Sequence, residues 1–410
     1  MKVHRLSDAF DIQRNMMSVM GYWHTETLTY FYIIRSALTT SIFLISYIGM
    51  IMQFIHVIGD FQKLSEILYM MTSYTSYFCK LLGYLYSRQT FLSMLRHLKN
   101  PIFQDYSIEL EHHLTKILRL SILITKLYRV SCAIVVILFC VYPIFDNAIL
   151  PTPVPFDTGR YTFIMYIIES LALLIAAWNN FCLDTLSVCL MGLAISQFDI
   201  LKEKFVNFKQ IATKTSLENK RFNIESELWK LESNTDNIIK HTLTNCIIHH
   251  NALIRFVNQI ETIFSFGLLA QLLGSIIVIC NTGFFLLLVS PASLQFGMLF
   301  SYFITMMAQL MLYCWYGNEI MLKSTEIGES CYLSDWYTCN LSVRKSIFIV
   351  MERSRRPLVI SALKFSILSL TALTSVCYRP FVILSIWFNW ILSDNTMVLF
   401  IFCITSTFDR

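Results

Sequence analysis

Long apolar stretches alternate with shorter polar ones along this chain. Seven of the stretches are long enough for transmembrane helices, because a span needs about 20 apolar residues to cross a hydrocarbon core of about 30 Å. They are too continuous for barrel strands, in which apolar and polar residues alternate. The pattern therefore predicts an all-α polytopic membrane protein with seven transmembrane helices, at 31–58, 64–86, 126–149, 161–195, 253–290, 294–322 and 357–378.

The composition agrees with a membrane protein. Hydrophobic residues make up 55% of the 410 residues and charged residues 14%, whereas a soluble domain carries roughly 25% charge. Most of the 12 cysteines lie inside apolar runs and no CxxC pair occurs, so we expect packed side chains rather than disulfides or metal ligands. Motifs of hydrolases, zinc proteases and nucleotide-binding enzymes are missing from the sequence. We therefore expect no enzyme activity, no metal and no cofactor.

The lysines and arginines are concentrated in alternate gaps between the apolar stretches. The gaps at 87–125, 196–252 and 323–356 are basic, and those at 147–160 and 290–293 are nearly uncharged. Basic residues mark the cytoplasmic side of short loops. Because the N-terminal segment is also basic, we expect a cytoplasmic N-terminus and a seventh helix that ends outside. This orientation is opposite to that of a G-protein-coupled receptor.

Several helices should extend beyond the bilayer. The fourth apolar pattern continues past residue 195, and 225–243 has the pattern of an amphipathic helix. We expect the ends of helices four to six to form a cytosolic helical anchor where subunits meet. The chain is then divided into a cytoplasmic segment (1–30), helices one to four (31–195), an anchor loop (196–252), helices five and six (253–322), an anchor helix (323–356), helix seven (357–378) and a tail (379–410).

A few ionisable residues fall inside the predicted spans. Such a group usually faces the bundle interior and is a functional candidate. Most of these lie near predicted cytoplasmic ends, where an internal ion pair or snorkelling is the simpler expectation. Glu169 is nearest the middle of a span and either lines a cavity or bonds to a neighbouring helix. The set comprises Arg35, Lys80, Glu169, Asp184, Arg255, Glu261 and Lys364.

The outer halves of several spans are rich in aromatic residues and methionine. Such residues can enclose a small apolar ligand, with tyrosine hydroxyls giving it direction. They are also enriched at membrane interfaces for packing reasons alone, so composition leaves both interpretations open. The candidate ligand-binding residues are Met70, Met71, Tyr74, Phe139, Tyr142, Tyr161, Tyr166, Glu169, Phe296, Phe300, Tyr302 and Phe303.

The C-terminal third of the chain resembles the signature of the insect odorant receptors. A similar likeness covers the predicted fifth helix through Cys246, His250 and Glu261, and the end of the fourth through Asp184. The matching C-terminal residues include Gly317, Asn318, Glu319, Trp336, Tyr337, Arg344, Lys345, Arg353, Pro357, Thr374, Ser375 and Val376.

This resemblance implies an odorant-gated, nonselective cation channel in the plasma membrane of a sensory-neuron dendrite. An odorant-specific subunit would assemble with a co-receptor subunit into a hetero-tetramer, and bind a small volatile ligand among helices two, three, four and six. The seventh helix would line the pore through Thr374, Ser375 and Val376. The implied subunit-anchor residues are Trp336, Tyr337, Arg344, Lys345, Arg353 and Pro357.

The sequence departs from the family pattern after Val376. Members usually continue with a short polar and aromatic run and then end, whereas this chain continues with Arg379, Pro380 and an apolar tail. Proline would break or kink a pore helix, so we expect an atypical C-terminus. The alternatives to an odorant receptor are a gustatory-type receptor channel of the same superfamily, a seven-helix G-protein-coupled receptor and a small-molecule transporter.

Overall fold

Long helices make up most of the computed structural model, which describes residues 10–24, 29–59, 61–104, 110–145, 159–214 and 228–375. Shorter helical stretches cover 208–214 and 370–375, and single 3-10 turns occur at Pro101–Phe103, Gly159–Tyr161 and Trp336–Thr338. The main elements are α1 (Asp11–Met20), α2 (Tyr30–His56), α3 (Phe61–Tyr86), α4 (Arg88–Leu98), α5 (Glu111–Phe145), α6 (Thr162–Val206), α7 (Leu228–Leu288), α8 (Leu294–Leu333), α9 (Leu341–Ser354), and the strands β1 (Ser361–Ala362) and β2 (Ser366–Ile367).

Five of the described helices are long and apolar enough to cross a membrane. They are α2, α5, α6, α7 and α8, and they correspond to the predicted first, third, fourth, fifth and sixth spans. Helix α3 corresponds to the predicted second span, and its 26 residues give about 39 Å at 1.5 Å per residue. It is less apolar because Thr72, Ser76 and Lys80 are buried on the face that packs inside the bundle.

The helices outrun the predicted spans, mostly at one end. Helix α6 has 45 residues, as the continuing apolar pattern predicted, and α7 has 61. At 1.5 Å per residue, they are about 68 and 92 Å long. Within the predicted anchor region at 196–252, 196–206 belongs to α6 and 228–252 to α7, which agrees with the helical patterns in its sequence. Helix α5 likewise begins at Glu111 rather than at 126.

The extended ends pack together into what we call the basal bundle, formed by α6 after 195, α7 before 253, α8 after 322, and α9. Ion pairs link its helices: Lys202 Nζ lies 2.6 Å from a carboxylate oxygen of Glu326, and Lys323 Nζ lies 3.2 Å from Asp199. The two lysines outweigh the opposing effect of burial and lower the pKa of Glu326. Paired charge at this end is typical of helix ends that leave the apolar layer.

The predicted seventh helix at 357–378 is wrong over 357–369. Helix α9 ends at Ser354, and the chain then forms a tight antiparallel hairpin in which Ser361 pairs with Ile367 and Ala362 with Ser366. The turn places Leu363 and Lys364 at positive φ, 49° and 65°.

Two effects keep this apolar segment from being helical. Proline at 357 disfavours helix in the residue before it, and Glu261 on α7 accepts hydrogen bonds from both the backbone N–H and the hydroxyl of Ser361. Ile360, Ala362 and Leu368 are fully buried against the bundle, whereas Leu363, Phe365 and Ile367 are exposed. Helix resumes at 370–375.

Candidate ligand cavity and its polar floor

A cavity of about 100 Å³ lies inside the bundle between α3, α5, α6 and α8. On the same kind of measure, an apolar protein cavity of about 150 Å³ holds a benzene molecule, so the space suits a small organic ligand. Its walls are mainly apolar. It is lined by Met70, Ser73, Tyr74, Tyr77, Tyr128, Cys132, Val135, Val136, Phe139, Leu173, Ala176, Ala177, Asn180, Tyr302, Thr305 and Met306.

Two alanines on α6 make room for the cavity. Leu173, Ala176, Ala177 and Asn180 all line it, and their spacing of three, four and seven residues places them on one face of a helix. The small side chains of Ala176 and Ala177 hold α6 close to its neighbours without filling the space between them. The small residues on this face of α6 therefore determine the shape of the cavity.

Aromatic rings form the opposite wall. The ring of Tyr302 on α8 lies 5.8 Å from that of Phe139 in an edge-to-face arrangement and 5.7 Å from that of Tyr69. The hydroxyls of Tyr302 and Ser73 are hydrogen-bonded to each other, which fixes the ring across the gap between α3 and α8. The wall therefore offers carbon surface and a pre-set shape, which is what an apolar ligand requires.

A buried polar cluster centred on Asp184 of α6, which we call the polar floor, adjoins the cavity: its member Tyr128 lines the cavity, and Lys80 bonds to the lining residue Asn180. Lys80 Nζ on α3 lies 2.5 Å from its Oδ1, the Tyr313 hydroxyl donates to the same oxygen at 2.6 Å, and the Tyr128 hydroxyl donates to Oδ2 at 3.2 Å. Gln309 also donates to Oδ2. A buried charge is tolerated when it is paired and fully hydrogen-bonded, so this cluster is neutral overall and joins four helices at one point.

The cluster reaches the fifth transmembrane helix through amide side chains. Gln271 Nε2 on α7 lies 2.9 Å from Gln309 Oε1 and 3.0 Å from the Ser275 hydroxyl. Helix α7 also contacts α3 closely, since Gly267 packs on Lys80 and Gly274 on Ser76. A movement of the polar floor would therefore also displace α7.

Four predicted ligand-binding residues line this cavity, and the others lie elsewhere. Met70, Tyr74, Phe139 and Tyr302 are in the lining. The remaining predicted residues are outside it: Met71, Tyr142 and Phe303 are partly buried against the core, Tyr161 and Phe300 are exposed, Phe296 stacks on Phe300, Tyr166 donates to the Cys140 carbonyl, and Glu169 accepts from Ser46.

Glu169 bonds to a neighbouring helix, which was one of the two alternatives that its position left open. It is buried, accepts a hydrogen bond from the hydroxyl of Ser46 on α2, and does not line the cavity. The charged residues deeper in the bundle follow the expectation of an internal ion pair, which Lys80 and Asp184 form. Aromatic character, the property used to choose the candidate residues, does not identify the lining alanines or Asn180. Their helical spacing on one face of α6 was the available signal.

The predicted anchor residues are at the basal bundle. The Trp336 ring packs edge-to-face on Phe348 at 5.0 Å, and Arg344 Nε donates to the Cys339 carbonyl at 2.6 Å. Arg353 Nη1 donates to the Arg356 carbonyl at 3.2 Å. Three others are largely exposed: Tyr337, Lys345 and Pro357.

Two of the predicted pore residues, Thr374 and Ser375, lie at the end of the last described helical stretch, 370–375. Thr374 and Ser375 are exposed, and each hydroxyl donates to the Thr371 carbonyl at 2.9 Å. Exposure is expected of residues that face a pore or a partner. Val376 and the tail from 379 lie outside the described residues.

Sequence relatives identify the family. A family profile described as "7tm Odorant receptor" matches residues 60–378. The chain is 32% identical over 138 residues to odorant receptor 22c of Drosophila melanogaster, and 27% identical over 118 residues to odorant receptor Or2 of Anopheles gambiae. These segments cover 34% and 29% of this chain, and 34% and 31% of the two relatives. The chain thus matches about a third of the length of these curated relatives.

A solved structure has the same fold. The olfactory receptor OR5 of Machilis hrabei, in complex with eugenol, superimposes with a TM-score of 0.78 at 12% identity, over 94% of this chain and 97% of that one. The fold is therefore that of a seven-helix membrane receptor, and the chain belongs to the 7tm odorant receptor family. The resemblance noted in the sequence is confirmed by both comparisons.

Proposed function

We propose that this chain is the odorant-binding subunit of a ligand-gated, nonselective cation channel. The observation that carries the proposal is the cavity between α3, α5, α6 and α8, with its apolar walls and its polar floor at Asp184. Membership of the odorant receptor family favours this function over a gustatory receptor or a G-protein-coupled receptor. The related OR5 structure contains eugenol, a small aromatic ligand, in the same fold.

Ligand binding can open a pore only if the ligand binds the closed and open states unequally. The cavity floor supplies a physical route. Asp184 joins α3, α5, α6 and α8, and the Gln309–Gln271 contact extends the cluster to α7. Helix α8 in turn packs on the segment before 370–375 through Gly317, because a Cβ there would lie 2.5 Å from the Cβ of Leu368. A shift of α8 therefore displaces the start of the proposed pore helix.

The proposed partner is a co-receptor subunit in a hetero-tetramer. Support comes from a row of large apolar side chains that the basal bundle leaves exposed on the end of α8 and on α9. Scattered single exposures are ordinary, but a cluster of this kind marks an interaction surface. A 23% identical match over 139 residues to the odorant receptor coreceptor of Harpegnathos saltator supports a partner of the same family. The exposed residues are Tyr332, Leu333, Tyr337, Leu341, Phe348 and Ile349.

The proposed orientation has a cytoplasmic N-terminus and the basal bundle in the cytosol. The basic gaps of the sequence fall at the basal end, where Lys202 and Lys323 form their ion pairs. A peptide tag placed ahead of Met1 should be unreachable by antibody on intact cells and reachable after permeabilisation. Labelling of intact cells would refute the orientation.

The test of the function is a recording from cells that express the chain with a co-receptor subunit. An odorant panel should evoke currents within milliseconds without added nucleotide. Ala177→Phe fills the cavity and should raise the half-maximal concentration roughly 5- to 150-fold, because overpacking costs about 1–3 kcal/mol. Leu174→Phe is the matched control, since Leu174 lies on the same helix with 44% of its side chain exposed.

Equal responses from Ala177→Phe and the wild type would place the ligand elsewhere. Complete lack of current from a surface-expressed channel, with every compound tested, would oppose the function itself. The partner surface is tested separately, by co-purification. Ile349→Asp should reduce recovery of the co-receptor, whereas Glu352→Ala on the same helix should not.

A further inference from the structure

The side-chain amide of Asn180 meets the cavity floor in a fixed orientation. Lys80 Nζ lies 2.8 Å from Asn180 Oδ1, and Asn180 lines the cavity. An ammonium group has three donors and no acceptor, so Lys80 can bond only to the oxygen of that amide. The amide NH2 group is therefore turned away from Lys80.

Asp184 holds Lys80 in place for this role. Lys80 Nζ lies 2.5 Å from Asp184 Oδ1, and Gly267 packs against the stem of the lysine. The contacts thus link the Asp184 carboxylate to the Lys80 ammonium, and the ammonium to the amide oxygen of Asn180. The two N–H donors of the Asn180 amide remain at the end of this series. In the described part of the chain no protein acceptor is recorded for these donors.

The other polar side chains of the lining have their hydroxyls engaged or hidden. Ser73 and Tyr302 bond to each other, and the Tyr128 hydroxyl donates to Asp184. The hydroxyl oxygens of Tyr74 and Tyr77 are buried away from the cavity surface. The Thr305 hydroxyl donates to the Ser301 carbonyl and the Cys132 thiol is only a weak donor, so Asn180 is the main donor that the cavity offers.

We propose that this cavity selects small apolar ligands that carry one hydrogen-bond acceptor, such as the carbonyl oxygen of a ketone, ester or aldehyde. The carbonyl oxygen accepts from Asn180 Nδ2, and the hydrocarbon part lies between Ala176, Phe139 and Met306. A buried donor without a partner costs free energy, so a pure hydrocarbon of the same shape leaves the Asn180 amide unsatisfied. The inference rests on the proposed function, since it requires that the cavity be the ligand site.

The test compares a ketone with the alkene in which a methylene group replaces the carbonyl oxygen, for example 2-heptanone and 2-methyl-1-heptene. The full chain is co-expressed with a co-receptor, and the half-maximal concentration of each compound is measured. Asn180→Leu keeps the approximate size of the side chain and removes the donors. It should shift the ketone-to-alkene potency ratio about tenfold towards the alkene, the change expected when one hydrogen bond is lost.

Val136→Ala is the control, because Val136 lines the cavity with carbon alone. It should change the potency of both compounds by the same factor and leave their ratio unchanged. Asn180→Asp is a second, isosteric variant that keeps an oxygen for Lys80 and presents an acceptor to the cavity. It should favour an alcohol, which can donate, over the ketone.

A wild-type measurement covers the case in which neither variant reaches the cell surface. Each potency is referred to the partition of the compound from water into hexadecane, which offers no hydrogen bond. On that scale the ketone should be at least tenfold more potent than the alkene. Equal potencies on that scale, or an unchanged ratio in Asn180→Leu, would overturn the donor role of Asn180 and leave the proposed channel function standing.

Discussion

Replacing Asp184 should destabilise the bundle more than replacing its charged partner. The substitution Asp184→Leu leaves the Lys80 ammonium buried, with the amide oxygen of Asn180 as its acceptor in the described structure. Removing one partner of a buried ion pair costs about 3–5 kcal/mol, because the other charge stays buried without compensation. The donors Tyr128, Gln309 and Tyr313 also lose their acceptor, and interhelical hydrogen bonds in membranes average about 0.6 kcal/mol each.

Lys80→Met should cost less, about 1–2 kcal/mol. The Asp184 carboxylate keeps three hydrogen-bond donors from α5 and α8. The double variant contains no buried charge at this point. We expect it to be about 2 kcal/mol more stable than Asp184→Leu alone.

The measurement uses the full-length chain fused to a fluorescent protein and co-expressed with a co-receptor subunit. Detergent extracts are heated, and the fraction left in the assembled peak is followed by size-exclusion chromatography. Both Lys80→Met and the double variant should have higher thermal midpoints than Asp184→Leu. The control is Glu352→Ala, which removes an exposed ion pair with Arg355, and exposed pairs contribute little.

Two results would refute this reasoning. One is a midpoint for Lys80→Met as low as that for Asp184→Leu, which would mean that the three neutral donors do not support the carboxylate. The other is a double variant less stable than Asp184→Leu, which would mean that the two charges are not coupled in the folded protein.

Two further predictions concern the pore segment and the basal bundle. Gly317→Ala should abolish ligand-evoked current, because the new Cβ would lie 2.5 Å from the Cβ of Leu368. The control is Gly297→Ala, whose Cβ meets no atom within 4 Å and which should behave as the wild type. Normal current from Gly317→Ala would contradict the contact. Burial, with Lys204 adding to it, lowers the pKa of His249 to about 3. Below about pH 6.5 the His249 imidazole is therefore protonated in the unfolded chain but stays neutral in the folded protein. The free energy of unfolding should fall by about 2 kcal/mol between pH 7 and pH 5 as a result. The loss should be smaller in His249→Asn than in a variant of the exposed His241, and equal losses would exclude His249 as the cause.

Much of the fold could be predicted from the sequence because helix length and burial in lipid are local properties of composition. The apolar stretches located α2, α3 and α5 to α8 in order, and the continuing pattern past residue 195 predicted the long α6. The basic gaps in the sequence also indicated which helix ends lie together at one end of the bundle. The likeness to the odorant receptors at Gly317, Trp336 and Tyr337 also gave the family.

The positions of the side chains in the cavity could not be predicted in this way. A cavity forms where facing residues are too small to fill the space between helices, and this depends on how α3, α5, α6 and α8 are set against one another. Phe300 and Phe139 are equally apolar, yet Phe300 is 49% exposed and Phe139 lines the site. Ala176 and Ala177 carry no chemical signal at all.

The apolar run at 357–369 shows the same division between local pattern and tertiary contact. Its composition is that of a membrane helix, but its contacts with Glu261 and with Gly317 accompany a hairpin in place of a helix. The sequence by itself thus located six long apolar helices in order, predicted that the fourth continues past residue 195, and indicated the family to which the chain belongs. Only the tertiary structure decided which side chains meet, because a contact such as Lys80 with Asp184 joins residues whose separation along the chain carries no information about their distance in space.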